Sequence, residues 1–138
     1  MEWFANLMHR YMHGPLWILH QSHHEPHHTK FELNDLFGIV FAVPPIIAIY
    51  WGTHGRPLWQ WIGLGMAAYG LVYGGFHDVL AHRRVPHNWL PQSGYLRRIV
   101  QAHHVHHGCR KKDGAVSFGF LSSPRPEQLK RQPSQSSR

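Results

Sequence analysis

Two long stretches of this chain carry no formal charge, and polar, histidine-rich segments lie on either side of them. Leu36 to Gly55, LFGIVFAVPPIIAIYWGTHG, is the first; Arg56 interrupts; Pro57 to His77, PLWQWIGLGMAAYGLVYGGFH, is the second. A helix needs about 20 mostly apolar residues to cross a bilayer. The pattern therefore predicts two membrane helices, over about 36–55 and 57–77, turning back on each other near Arg56. Pro44 and Pro45 are expected to kink the first, because neither donates to the helical ladder. Trp51, Trp59 and Trp61 cluster at the turn, where amphipathic rings favour the membrane interface. The rival reading is a helical hairpin buried in a soluble core, but a chain of 138 residues has little else with which to cover two such faces. The expected fold class is all-α, an integral membrane helical bundle.

Composition changes this picture in one respect. The mean hydropathy of -0.37 conceals the segregation, and the net charge of +7 allows nucleic acid, an anionic membrane or an acidic partner. The basic residues flank the apolar segments, so no nucleic-acid partner is expected. The outlier is 15 histidines against 7 acidic residues. Cys109 stands alone, which excludes a disulfide framework and a cysteine zinc ribbon. Any metal chemistry must be imidazole chemistry. The N-terminus, MEWFANLMHRYMH, lacks the apolar run of a cleavable signal peptide. Residues 1–121 are expected to form one domain, followed by a Pro/Ser-rich, disordered polar tail over 122–138.

Ten histidines fall into two blocks separated by the hairpin: His9, His13, His20, His23 and His24 before it, and His77, His82, His103, His106 and His107 after it. A hairpin that crosses and returns brings both blocks to one side. Arg83, Arg84, Arg97, Arg98, Arg110, Lys111 and Lys112 follow the second segment, whereas the turn has only Arg56. By the positive-inside rule the histidines face the cytoplasm. His9 and His13 are four apart; His20, His23 and His24, like His103, His106 and His107, are spaced i, i+3, i+4; each set shares one helical face. His77 and His82 are five apart, about 140° around a straight α-helix. That pair needs a helix end, a distortion, or ligation to different metals. Within HQSHHEPHH, Pro26 ends the helix near His24. His27 and His28 then fall outside the set, so His27→Ala should be nearly silent. Ten imidazoles are too many for one tetrahedral ion and suit two ions of about five ligands each. Nitrogen ligation with open positions suits iron, copper or zinc.

The spacings HX3H, HX2HH, HX4H and HX2HH, with the surrounding MHG, HQSHHEP, FELNDLF, HDVLAHRR, GYLRR, AHHVHH and VSFGFL, resemble the membrane fatty acid hydroxylase and sterol desaturase-like di-iron superfamily. Within it they resemble the bacterial β-carotene 3-hydroxylases, over roughly residues 5–124. The resemblance implies that the ten histidines hold two non-haem iron ions. It implies an oxygenase that hydroxylates carbon 3 of the β-ionone rings of a lipophilic carotenoid drawn from the bilayer. β-Carotene would give β-cryptoxanthin and then zeaxanthin, with O2 supplying one oxygen atom to product and one to water. Electrons would come from a ferredoxin and its reductase. Two departures stand out: the first pair is HX3H where the family typically has HX4H, and an upstream apolar helix is usual where only eight residues precede His9. The chain is therefore expected to be either a shortened form or naturally short.

Around the histidines, Glu25, Glu32, Asp35 and Asp78 are candidates to orient imidazoles, because ligating histidines usually give their other N–H to a carboxylate or carbonyl. Helix capping by Asn34 or Asp35 is the alternative. Tyr69, Tyr73 and Phe76 are candidates to line a substrate entrance, or simply to pack. Arg83 and Arg84 are read as contacts for lipid phosphates or an acidic electron donor, or as a charged rim. Other readings left open are a fatty acyl or sterol hydroxylase or desaturase, and a non-redox membrane protein binding zinc or copper.

Overall fold

The computed structural model describes residues 1–25, 31–113 and 115–131, and within them it is helical with no strand. The helices are α1 (Glu2–Met12), α2 (Trp17–His20), α3 (Asp35–Thr53), α4 (Pro57–Gly74), α5 (Gly94–His107) and α6 (Pro126–Arg131). A 3₁₀ turn, Gln21–His24, extends α2, and a π-helical segment, Gly75–Ala81, extends α4.

Helices α3 and α4 form the expected hairpin. Gly55 makes the turn at φ 86°, a left-handed conformation that costs glycine little, and Pro57 starts α4 where its missing N–H is harmless. The helices touch at glycines. A Cβ on Gly63 would lie 2.8 Å from Ile49 N and 2.9 Å from Pro45 O, and one on Gly52 would lie 2.4 Å from Gln60 Cα. Only backbone-to-backbone approach fits there. Helix α3 runs through Pro44 and Pro45 without interruption.

The outer faces of the hairpin are apolar and uncovered: Ile39, Ile46, Leu58, Trp61 and Leu71 are all more than 60% exposed. So large an apolar surface marks a face meant for lipid or a partner. The two helices are not equal, however. Among the described residues only α3 has the length and hydropathy of a membrane span, with mean hydropathy 1.8. The expectation of two such spans is corrected for α4, whose Gln60, glycines, tryptophans and tyrosines dilute its hydropathy.

The rest of the chain packs around the histidines. Seven histidines are buried among the described residues beside ten apolar side chains, so imidazole makes up a large share of the core. The expected disordered tail also needs revision. Residues Pro126–Arg131 are helical and seat Leu129, 2% exposed, against α5. One leucine in a polar segment gives no periodic signal, which is why the pattern missed it. His27 and His28 lie outside the described residues.

Candidate metal centre

Four segments deliver the ten histidines to one place. His9 is on α1 and His13 is its C-cap. His20 ends α2, and His23 and His24 follow on the 3₁₀ turn, which stops where Glu25 becomes extended at ψ 146°. His103, His106 and His107 occupy one face of α5. His77 and His82 meet because the intervening helix is π: the His82 amide donates to the His77 carbonyl, five residues back, at 2.9 Å. An i→i+5 ring places residues five apart on one side. Of the three options open for this pair, the structure uses the distortion, with His82 at the helix end.

The ring nitrogens form two adjoining groups. His23, His77, His82, His103 and His107 place one nitrogen each within 4.8 Å of one another, and so do His9, His13, His20 and His106. Two imidazole nitrogens opposite each other on one transition metal stand about 4.2 Å apart, twice a ~2.1 Å bond. The groups are therefore nearly the size of coordination shells. His24 borders both. Its Nε2 lies 3.2 Å from His20 Nε2, and its ring stacks on His107 with centroids 4.4 Å apart.

The chemistry of the donors fits a cation better than it fits hydrogen bonding. Nδ1–H of His9 donates to Phe118 O, of His13 to Lys112 O, of His24 to Cys109 O and of His106 to Val116 O, at 2.9–3.3 Å. Nδ1–H of His20 donates to Asn34 Oδ1 at 2.7 Å, of His23 to Glu32 Oε2 at 2.8 Å and of His77 to Asp78 Oδ1 at 2.9 Å. Carbonyls and carboxylates only accept, so these rings carry their proton on Nδ1 and turn a bare Nε2 lone pair inward. Yet His13 and His106 face each other Nε2 to Nε2 at 3.0 Å, and His23 and His77 at 2.8 Å. Two lone pairs at that distance repel unless a positive charge lies between them. His107 Nε2 is buried with no hydrogen-bond partner. The arrangement is one that could hold metal ions, with the tautomers of seven rings set by their outer partners.

Burial also disfavours protonation of several of these rings. It pushes His20 down to about 3 and His24 down to about 4, and holds His9, His23 and His106 well below the usual imidazole range, with neighbouring histidines adding to the effect. The unfolded chain takes up protons near pH 6.5. Between that value and the folded values it binds more protons than the folded chain does, so stability falls as pH falls through this window. His20, almost fully buried, contributes to this loss through its lowered pKa. Acidification from pH 7 to pH 5 should lower the thermal midpoint of the detergent-solubilised protein and release bound metal. Thermal scans with metal analysis check this, and a midpoint that rises on acidification would contradict it.

The outer partners correct several sequence expectations. Asp78 does meet His77; Glu32 meets His23. Asp35 bonds to no histidine among the described residues: it accepts from the Glu32 amide at 3.0 Å and from Arg84. Glu25 is exposed and bonded to Gln21, pointing away because the chain has left the helix. Asn34 does not cap α3 with its side chain, which is engaged by His20 instead. Arg84 is no free rim charge, since it pairs with Glu32 and Asp35. Glu2 carried no sequence signal, yet its Oε1 accepts from the amides of Phe120, Leu121 and Ser122, and its Oε2 accepts from Tyr69. It ties the segment that supplies Val116 O and Phe118 O to α1 and α4. Tyr73 stacks on His77 and contacts Phe120, and Phe76 lines a small recess with Ala81, Ile99 and Val100 beside His77 and His103.

A helical fold that gathers ten histidines beside an exposed apolar hairpin is the setting that a membrane-associated metalloenzyme would need. More narrowly, the chain belongs to the fatty acid hydroxylase family, whose pattern matches residues 1–124. It is 52% identical to the beta-carotene hydroxylase of Pantoea ananas, over 90% of this chain and 71% of that protein. It is 50% identical to the beta-carotene hydroxylase of Pseudescherichia vulneris, over 94% and 74%. The chloroplastic beta-carotene 3-hydroxylase 2 of Arabidopsis thaliana is 38% identical over 91% of this chain and 42% of its own length. No solved structure matches.

Proposed function

We propose that this chain is a carotenoid hydroxylase that adds hydroxyl groups to carbon 3 of β-ionone rings, converting β-carotene through β-cryptoxanthin to zeaxanthin. The observation that carries the reading is its similarity to bacterial beta-carotene hydroxylases across at least nine-tenths of the chain. His23, His77, His82, His103 and His107 would hold one iron, and His9, His13, His20, His24 and His106 a second. Bound iron would supply the activation of O2 that an unactivated ring C–H bond requires, with two electrons from a ferredoxin-like donor. The protein's own part follows from its residues. The Nδ1 partners fix seven of the ten rings, burial disfavours protonation of His9, His20, His23, His24 and His106, and Phe76, Ala81, Ile99, Val100 and Phe120 offer a hydrocarbon surface beside His77 and His103. The uncovered faces of α3 and α4 would let a long hydrocarbon reach that surface from the bilayer.

The test is expression in a β-carotene-producing host followed by chromatography. Zeaxanthin and β-cryptoxanthin are the expected products. Hydroxylated acyl chains without hydroxylated carotenoid would instead favour a fatty acyl substrate, in keeping with the family's description. Zinc or copper without O2-dependent turnover would indicate a non-redox metal binder.

The histidine face is proposed to be cytoplasmic, supported by the excess of Lys and Arg after α4. In a Cys109→Ser background, His54→Cys at the hairpin turn should react with an impermeant thiol reagent added outside intact cells. Reaction only after lysis would reverse the orientation.

A further inference from the structure

The two histidine groups differ in what stands behind them. In the four-ring group every outer acceptor is neutral: Phe118 O behind His9, Lys112 O behind His13, Asn34 Oδ1 behind His20 and Val116 O behind His106. In the five-ring group His23 and His77, whose Nε2 atoms face each other, are backed by the carboxylates of Glu32 and Asp78. One guanidinium holds these acids. Arg84 Nη2 is 3.1 Å from Glu32 Oε1, its Nε is 3.8 Å from Asp78 Oδ1, and its Nη1 is 2.6 Å from Asp35 Oδ1. The Arg84 amide donates to the Asp78 carbonyl at 2.9 Å, so the side chain departs from a fixed point just past the π-helical segment. Arg83 reaches that point in a left-handed conformation, φ 53°, uncommon outside glycine.

We infer that Arg84 is a positioning residue that makes the two metal sites unequal: by holding Glu32 and Asp78 on the outer edges of His23 and His77, it makes the five-ring site the tighter of the two. A carboxylate accepting from Nδ1–H raises the basicity of the facing Nε2, and charged hydrogen bonds are the stronger kind. Arginine suits the task because its planar fork reaches several oxygens at fixed angles, which a lysine ammonium cannot do. The inference rests on the two-metal reading above.

The test uses the full chain in detergent, loaded anaerobically with Fe(II) and then mixed with excess chelator while release is followed by absorbance. The unmodified protein should lose iron in two phases, one iron in each. Glu32→Gln keeps the shape and removes the charge; it should speed the slow phase about 10-fold or more and leave the fast phase alone. Arg84→Gln should do the same, and Arg84→Lys should not restore the slow phase. Asn34→Ala should speed only the fast phase. A single release phase in the unmodified protein, an unchanged slow phase in Glu32→Gln and Arg84→Gln, or full recovery with lysine would each overturn the inference. If Arg84→Gln does not fold, Glu32→Gln and Asp78→Asn decide it. Loading of fewer than two irons per chain would overturn the two-metal reading itself, a failure distinct from two irons released alike.

Discussion

Replacing His106 with alanine is expected to abolish carotenoid hydroxylation, lowering zeaxanthin formation more than about 100-fold, and to cost the chain a bound metal. The position explains the size of the effect. His106 is fully buried, its Nδ1–H donates to Val116 O, and its Nε2 faces His13 Nε2 at 3.0 Å. Losing an outer partner of a ligand typically costs 10–100-fold in affinity or activity, and losing the ligand itself should cost more. Three rings of the four-ring group would remain, and His13 would lose the nitrogen opposite its own. Stability should fall too, because imidazoles form so much of the core and metal binding is coupled to folding. Product chromatography and metal content per chain measure both effects. His54→Ala, on the exposed hairpin turn, serves as the control and should leave both unchanged. A His106→Ala protein with normal product and normal metal content would remove the four-ring group from the centre.

What the sequence made legible, and what it concealed, follows from the range of the interactions. Histidines at i, i+3, i+4 on α5 and apolar runs of membrane length are local patterns, and local geometry turns them directly into faces and helices. The Nδ1 acceptors are not local. Phe118 O reaches His9 across 109 residues and Lys112 O reaches His13 across 99, and a backbone carbonyl has no side chain to announce it. Glu2 and Arg84 were illegible for the same reason: each gains its meaning only when distant segments meet. Glu25 shows the converse error. It adjoins His24 along the chain, but the helix ends there and the extended backbone carries it outward. Asn34 has a helix-capping residue type at a helix-capping position, and a stronger partner, His20, takes its side chain. Hydropathy was legible in α3 and blurred in α4, where Gln60, the aromatic residues and the glycines dilute it, and of those glycines Gly63 is the one the close packing against α3 requires.

The π-helical segment supplies the second large prediction, because it makes spacing, rather than residue type, the variable. His77 and His82 share a face only through the i→i+5 ring. That register also brings His82 to 4.2 Å from His23 and 4.6 Å from His107, ring centre to ring centre. Inserting one alanine between Leu80 and Ala81 would turn His82 by about 100° and carry it out of the group. It would also displace Arg84 from the acids behind His23 and His77. Activity should be lost by more than about 100-fold, as for a missing ligand. Deleting Leu80 is the informative contrast. It leaves the two histidines four apart, a spacing that an ordinary α-helix places on one face. Because π-bulges are single-turn features inside α-helices, the shortened segment can relax into plain α-helix without separating the pair. The deletion variant should therefore retain more metal and more zeaxanthin formation than the insertion variant, although it removes a half-buried leucine and the insertion removes nothing. If the insertion is tolerated as well as the deletion, the shared face of His77 and His82 is not what the centre requires, and the π-helical turn has another purpose.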